Sequence, residues 1–315
     1  MDSQNHHNDQ PVKACFSIIG YALLMSGLGC CIKHISKELS FEVIVFFRNS
    51  FALVVLLLLN IWRNRRQKRS QNKSADHSRE RSRTTIWNLL VPRTGKIHLH
   101  LLRSVFGVSA MYCFFYTLGK MPLAEATLLS YTSPFFMPLF ALLWLKEPIS
   151  VKGSTAVLLG FLGILLILRP GTGIINIISF IGIGAGVSVA LAAVTIRRMS
   201  GSESPGTMVF YFTLIATLIS AVPLAWSWQG ITLYQLVLLM VMGTVAVTGQ
   251  FLMAQGYALA PAAKVGPFTY FTVFFSSVWG WVIWGESLDA FFFSGAVLIC
   301  FSGILAGQPH REKPL

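Results

Sequence analysis

Two arginines lie inside otherwise apolar stretches of this 315-residue chain, where a buried charge is unfavourable. Arg48 is the sixth residue of the apolar run that begins at Val43, and Arg103 lies near the start of the run from Leu99. A charge at the centre of a bilayer costs at least about 2.5 kcal/mol, so both are functional candidates. A guanidinium group suits carboxylate or phosphate, which predicts a substrate with a negative group. The alternatives are that Arg48 snorkels towards the surface and that Arg103 is an interfacial anchor.

Glu125 is the best-placed acidic candidate, because no aspartate lies within an apolar run. It falls in the first turn of a predicted helix, where it is either a substrate or proton-binding group or a charge favoured by the helix dipole. With so few acids in the apolar runs, facilitated exchange is the simpler expectation than strong proton coupling.

Neutral polar side chains form the remaining candidate site material. Tyr131 and Tyr270 lie about seven residues, or about 10 Å, into their predicted helices, which is deep for an interfacial aromatic belt, although the belt is the alternative for any one tyrosine. The neutral candidates are Tyr116, Ser130, Tyr131, Gln250, Gln255, Tyr257 and Tyr270.

Catalytic, metal and cofactor signatures find little support in the sequence. His98 and His100 are two residues apart on a predicted helix, so they face different directions and make a poor metal pair. The five cysteines show no C-x-x-C spacing, and no G-x-S-x-G or H-E-x-x-H motif occurs. We therefore expect no enzyme activity, no metal site and no cofactor.

Apolar segments dominate the elements that must position these residues. The chain is 54% hydrophobic and 12% charged, against about 25% charged in a typical soluble domain. A helix crossing about 30 Å of hydrocarbon needs about 20 mostly apolar residues. Ten stretches qualify, some of them short, and predict an all-α, multi-pass integral membrane protein: 14–32, 43–62, 99–118, 124–145, 154–168, 177–196, 207–226, 234–258, 263–284 and 290–307.

The positive charge is concentrated in one segment between the second and third predicted helices. Eleven Lys and Arg but only two acids lie between Arg63 and Lys96. This segment has almost no apolar residues with which to fold, so we interpret it as a solvated loop at 63–97 and do not expect nucleic-acid binding. The Lys and Arg outside the predicted spans divide 19 to 4 when the N-terminus is placed in the cytoplasm. The positive-inside rule then puts both termini, at 1–13 and 308–315, in the cytoplasm.

An internal repeat explains why similar apolar phrases occur twice. "YTSPFFMPLFALLWLKEPIS" from Tyr131 aligns with "YFTVFFSSVWGWVIWGESLD" from Tyr270, 139 positions later, and an earlier segment repeats at a spacing of 164. Glu147 aligns with Glu286 across this repeat. With five predicted helices in each half, equivalent positions would face opposite sides of the membrane. This is an inverted repeat, a common plan of secondary transporters with a midplane site.

The segment from Leu101 to Ser150 resembles the EamA-type domain of the drug/metabolite transporter superfamily. The resemblance rests on an Arg opening the third helix, an aromatic segment at 112–116, the PLAEAT turn at 122–127, Pro134 and Glu147; Val273 stands where the second half would need a counterpart of Pro134. It implies ten transmembrane helices as two inverted five-helix repeats, at 14–168 and 177–307. It also implies a carrier of small metabolites, without naming the substrate.

These observations together predict a secondary transporter that moves a small anionic or zwitterionic metabolite, amino-acid-like or nucleotide-like, by alternating access. Its expected partners are a small-molecule substrate and the lipid bilayer, with a homodimer left open, and its expected location is a bacterial inner membrane. The alternative is a lipid-handling or scaffold protein whose basic loop binds anionic headgroups.

Overall fold

The computed structural model describes most of the chain as helix. The side chains of 63–74 and 123–126 are among those outside the description. Within the described ranges every regular element is a helix and no strand occurs, which confirms the all-α prediction. The backbone is described for residues 10–74, 92–118, 120, 123–148, 150–168, 177–285 and 289–307.

Twelve α-helices follow one another along the described chain, together with one π-helical and one 3₁₀ turn. In chain order, their bounds are α1 Pro11–Ile35, α2 Phe41–Ser74, α3 Ile97–Leu118, α4 Leu123–Ser130, α5 Ser133–Phe140, the π-turn Ala141–Leu145, α6 Val151–Leu168, α7 Ile177–Met199, α8 Pro205–Ser227, α9 Leu233–Leu259, α10 Ala262–Val265, the 3₁₀ turn Gly266–Tyr270, α11 Phe271–Trp284 and α12 Ala290–Gly307.

Seven helical spans in the described part of the chain are long and apolar enough to cross a membrane. They include α1, α3, α7, α8 and α9. Two shorter apolar helices, Val151–Ile167 and Ala290–Ala306, accompany them. A multi-pass integral membrane protein is therefore the architecture, with helices that satisfy their own backbone hydrogen bonds in lipid.

The second helix continues beyond the end that the sequence predicts. We expected the basic loop to begin at Arg63, but α2 runs on to Ser74. The difference has a local cause, because Arg, Lys and Gln are good helix formers and extend a helix that is already nucleated in the membrane. Residues 75–91 of the predicted loop lie outside the described part, as do 1–9 and 308–315 of the two predicted tails.

The fourth predicted span is interrupted near its middle. α4 ends at Ser130, and α5 begins at Ser133 with Pro134 in its first turn, where the missing N–H of proline does no harm. Pro138 lies inside α5, and the helix widens into a π-turn before Lys146 ends it in the left-handed conformation, at φ 57°. A proline in a helix removes a backbone donor, so both irregularities have a local cause in the sequence.

The ninth predicted span is interrupted at the equivalent place. α10 begins at Ala262, 139 residues after Leu123, and a 3₁₀ turn containing Pro267 separates it from α11. Gly285 then ends α11 with φ 67°, which matches Lys146 at the same spacing. The two broken spans therefore share their beginnings and their left-handed ends, although their prolines stand at different positions.

Equivalent helices of the two halves run antiparallel where they touch. In the packing of α6 against α12, Ser302 Oγ donates to the Ala156 carbonyl at 2.7 Å, while the backbone of Gly163 lies beside Gly295. Residue numbers thus rise along one helix as they fall along the other. In the packing of α2 against α8, Ser40 just before α2 contacts the carbonyl of Ser227 at the end of α8.

The helix ends define two opposite faces of the bundle. We call the end at which α1 begins the N-terminal face; there Gln10 N–H donates to the carbonyl of Leu259 at 2.9 Å. At the other end, which we call the distal face, the Gln235 amide donates to Glu38 at 2.7 Å. The distance between the two faces is set by helices of 22 to 27 residues such as α1, α3 and α9, which suit a bilayer.

Candidate functional site

Arg103 is fully buried, and its partners among the described residues are neutral. Its Nη2 donates to Gln250 Oε1 at 2.8 Å, and the Phe212 ring lies under the guanidinium with its centroid 3.9 Å from Cζ. Gly107, one turn further along α3, lets this ring approach, because a Cβ there would meet Phe212 Cε2 at 2.6 Å. Three helices, α3, α8 and α9, therefore position this one cation.

Arg48 lies on α2, seven residues from its first residue, and has no acidic partner within the described part of the chain. Its Nη2 contacts Asn49 Oδ1 at 3.3 Å and the sulfur of Met111 at 3.4 Å. A Cβ on Gly243 would meet the Arg48 carbonyl at 2.9 Å, so this glycine lets α9 pack directly against α2. At 1.5 Å per residue, Arg48 lies about 10 Å from the distal end of its helix.

Tyr21 on α1 lies near both arginines. The sequence analysis did not name it as a candidate site residue. The Tyr21 side chain lies within electrostatic range of both guanidinium groups. It packs beside Gly249, which precedes Gln250 on α9. No repeated motif marks this position, since Ala185 stands there in the second half. The one available signal was the presence of a polar side chain within the first apolar run.

Several polar atoms in this region are buried without a hydrogen-bond partner. On Arg103 these are Nε and Nη1, and on Arg48 it is Nε; Asn49 Nδ2 and the Tyr112 hydroxyl lie nearby in sequence on the same two helices. The acidic side chains that the structure describes, at Glu38, Glu42, Glu147, Glu203 and Asp289, lie near helix ends. Arg103 is fully buried and Arg48 is half-buried with a buried Nε, and both have spare donors. Such an arrangement is suited to an anion.

The predicted tyrosines occupy different surroundings. Tyr270 is fully buried, with its hydroxyl 3.5 Å from the Val157 carbonyl, and Tyr131 packs against the same apolar cluster. Tyr257 is also buried, and its hydroxyl contacts Met137 sulfur at 3.7 Å. Tyr131 and Tyr257 both lie within electrostatic range of Tyr21.

In the part of the chain that the structure describes, no hydrogen bond joins Tyr116, Ser130 or Gln255 to either arginine. Tyr116 is 51% exposed on α3, and Ser130 is partly buried at the end of α4. Gln255 accepts a long hydrogen bond from Ser17 at 3.4 Å, closer to the N-terminal face. The side chain of Glu125 lies outside the described part of the chain. Among the described residues no group of three potential metal ligands occurs.

Another buried arginine, Arg197, forms an ion pair at the N-terminal face. The sequence analysis did not identify this pair. Arg197 at the end of α7 donates from Nε to Glu147 Oε1 at 2.9 Å, and from Nη1 to the Ala258 carbonyl at 3.2 Å. The arrangement joins the ends of the fourth, sixth and eighth predicted spans. Positive charge near the carboxyl end of a helix is also favoured by the helix dipole. This pair is a structural tie with its charge already balanced.

Comparison with known proteins places the chain among membrane transporters. Two segments, 12–169 and 176–307, match the model of the EamA-like transporter family. The pseudopaline exporter CntI of Pseudomonas aeruginosa is 31% identical over 289 residues, covering 91% of this chain and 93% of that protein. A riboflavin transporter of Vibrio cholerae is 30% identical, covering 70% of this chain and 75% of that protein.

Two further proteins are similar to this chain, one in sequence and one in fold. An S-adenosylmethionine uptake transporter of Rickettsia bellii is 26% identical over 207 residues, covering 66% of this chain and 71% of that protein. A solved crystal structure, at 14% sequence identity, superposes with a TM-score of 0.74 and covers 94% of this chain and 96% of that one. This last likeness concerns the fold alone.

Proposed function

Since this chain belongs to the EamA-like transporter family, we propose that it carries a small anionic or zwitterionic metabolite, amino-acid-like or nucleotide-like, across the membrane. The observation that carries the proposal is that Arg103, which is fully buried, and Arg48, which is half-buried, have neutral partners among the described residues. Arg103 keeps two unpartnered donors and Arg48 keeps one. A carboxylate or phosphate would satisfy these donors and offset the buried positive charge, whereas a cationic substrate would add to it.

We propose that transport proceeds by alternating access between two inverted five-helix repeats. Three observations support this: the two broken spans begin and end at equivalent residues, equivalent helices run antiparallel, and the arginine region draws residues from both halves. Rocking of one half against the other would expose the arginines first to one face and then to the other.

The proposed orientation follows from charge. The N-terminal face carries Lys96, Lys146, Lys152 and Arg198, and the positive-inside rule places this face in the cytoplasm. The relatives reported above are bacterial proteins, which supports a bacterial inner membrane as the location. The alternative of a lipid-handling or scaffold protein depends on the basic side chains of 63–91, which lie outside the described part of the chain.

Thermal-shift screening of the purified protein tests the substrate class without assuming a direction of transport. The panel contains dicarboxylates, amino acids, nucleotides, riboflavin and S-adenosylmethionine. A ligand at 100 times its dissociation constant adds about 2.7 kcal/mol to the free energy of unfolding, which gives a readily measured shift. We expect stabilisation by members that carry a carboxylate or phosphate.

Variants then connect the stabilisation to the site. Arg48→Ala should abolish the ligand-induced shift and cut transport while the protein still inserts into the membrane. Arg198→Ala is the matched control, because Arg198 is exposed at the end of α7, far along the bundle from Arg48. Stabilisation only by members without a carboxylate or phosphate, such as riboflavin, or full activity of Arg48→Ala, would overturn the assignment.

A further inference from the structure

A buried histidine faces a carboxylate near the N-terminal face, outside the arginine region. His100 on α3 is fully buried, and its Nε2 lies 3.8 Å from Glu203 Oε2, in the turn between α7 and α8. Glu203 is itself only 7% exposed, and its Oε1 accepts a hydrogen bond from Thr94 at 2.6 Å. The His100 ring lies against Tyr211, whose hydroxyl donates to the Pro92 carbonyl at 2.8 Å.

The His100–Glu203 pair can form a new hydrogen bond when His100 takes up one proton. At 3.8 Å the imidazole and the carboxylate are too far apart for a hydrogen bond. Both ring nitrogens of His100 are buried without a hydrogen-bond partner. Addition of a proton converts the imidazole into an imidazolium that faces a carboxylate, and closure to about 2.8 Å forms a charge-assisted hydrogen bond. Loss of that proton removes the attraction.

The pair also joins the two halves of the chain. His100 belongs to the third predicted span, whereas Glu203 lies in the connection into the seventh span and Tyr211 lies within that span. Just before α3, Thr94 donates a hydrogen bond to Glu203, and the Pro92 carbonyl accepts one from Tyr211. A proton that draws His100 onto Glu203 therefore favours the state in which the halves are closed at the N-terminal face.

His100 lies one helical turn from Arg103 on the same helix, which connects the pair to the arginine region. Residues at i and i+3 lie on one side of a helix, and electrostatic interaction between His100 and Arg103 is present. The other titratable or charged groups around His100 are Glu203 in the turn before α8, Tyr211 on α8 and His98 on its own helix. Arg197, on the neighbouring α7, has its charge balanced by Glu147.

We propose that His100 and Glu203 form a proton-binding site that couples protonation to closure of the N-terminal face and to occupancy of the arginine region. The proposal rests on the carrier function proposed above. An anion bound at Arg103 offsets the positive charge of that guanidinium, which lies one turn from His100. Protonation of His100 is then more favourable. By linkage, protonation of His100 strengthens anion binding by the same factor. Proton and anion would then travel together.

Histidine-selective NMR of the purified full chain tests proton binding without any substrate. Spectra of protein with labelled histidine rings are recorded between pH 5 and 8.5, and the His100 signal is assigned by its disappearance in His100→Gln. We expect one titrating signal assigned to His100. Arg103→Gln should raise the midpoint of the His100 titration by about one pH unit, because it removes the neighbouring positive charge. A bound anion would have the same effect by offsetting that charge. A His100 signal that does not titrate in this range, or that ignores Arg103→Gln, contradicts the proposal.

Distance measurement between two spin labels tests the conformational part. The labels are attached at Gly95→Cys and Ser202→Cys, both exposed, in protein whose five native cysteines are replaced. At pH 5.5 we expect a shorter and narrower distance distribution than at pH 8. His98→Gln, which alters an exposed histidine two residues away, should keep this response.

His100→Gln and Glu203→Gln should each abolish the pH response of the label distance. Glu203→Gln retains an oxygen for Thr94, so it provides a second route if His100→Gln does not elute as a monodisperse protein. A pH response that survives both variants, or its absence in the wild type, overturns the proposal. Because neither experiment uses a substrate, failure of the metabolite panel would refute the substrate class while leaving the proton site standing.

Discussion

Arg103 and Arg197 are both buried, and they lie on helices that pack against each other, yet their partners differ in charge. Arg197 meets the Glu147 carboxylate at 2.9 Å, whereas Arg103 meets the amide oxygen of Gln250 at 2.8 Å. The first cation is balanced within the protein, and the second is left with two unpartnered nitrogens. A buried cation with an acidic partner ties helices together, and one with neutral partners is open to a bound anion. We therefore propose a structural role for Arg197 and a binding role for Arg103.

The largest expected effect comes from breaking the balanced pair. Glu147→Gln leaves the Arg197 charge buried without its counter-ion, which in buried pairs lowers the free energy of unfolding by about 3–5 kcal/mol. The measurement is thermal and denaturant unfolding of purified protein in detergent. The double variant Glu147→Gln with Arg197→Gln should recover most of the loss, because no unpaired charge remains.

An unfolding free energy of Glu147→Gln within about 0.5 kcal/mol of the wild type would show that the tie is solvated and contributes little. In that case the contrast between the two arginines would disappear, since neither would depend on a protein carboxylate.

Arg103→Gln should have the opposite profile, with binding lost and folding kept. Removal of one member of a buried, hydrogen-bonded charge pair costs about 2 kcal/mol or more, so we expect affinity for the best anionic member of the panel to fall at least about 30-fold. The unfolding temperature without ligand should stay level or rise, because an uncompensated buried cation is removed. Binding is measured by the ligand dependence of the thermal shift.

Lys substitution gives the control for Arg103. Arg103→Lys keeps the charge but loses the planar fork of donors, so it should restore part of the affinity. Affinity that is equal in the wild type, Arg103→Gln and Arg103→Lys would remove Arg103 from the binding region.

Gln250→Glu converts the Arg103 environment into that of Arg197. The change places a carboxylate 2.8 Å from the guanidinium, where the amide oxygen now lies. We expect the protein without ligand to become more stable and its affinity for anions to fall by about tenfold, since the protein itself supplies the counter-charge. The readouts are the unfolding temperature and the ligand-induced shift. Gln255→Glu, on the same helix but bonded to Ser17, is the matched control and should leave anion affinity unchanged.

The sequence predicts the helices well and the contacts between them only in part. Apolar run length located the spans to within a few residues, because crossing a bilayer imposes a length that local composition must meet. The repeat spacing of 139 even matches the beginnings of α4 and α10 and the left-handed ends at Lys146 and Gly285. The extension of α2 to Ser74 escaped prediction, since charged helix formers and a solvated loop have the same composition.

Candidate site residues stood out in the sequence where a residue type is unfavourable in lipid. Arg48 and Arg103 stood out for that reason, and Gln250 was included as a polar residue in an apolar run. Tyr21 could not be distinguished, because a tyrosine near a helix middle is common and its repeat partner is an alanine. The Arg197–Glu147 and His100–Glu203 pairs join residues 50 and 103 positions apart, and only the packing of the helices brings these together.

Phe212→Leu should produce the smallest effect and refine the comparison further. The Phe212 ring lies under Arg103 at 3.9 Å, and a cation–π contact shielded from water contributes about 1–2 kcal/mol. If about 1 kcal/mol of this contribution acts on binding, its loss lowers anion affinity about fivefold, because the guanidinium is then less firmly oriented. Phe210→Leu, which alters a buried ring that packs on Tyr211, is the control for lost volume. If both leucine variants lower affinity equally, the ring acts through packing alone, and the orientation of Arg103 depends on Gln250.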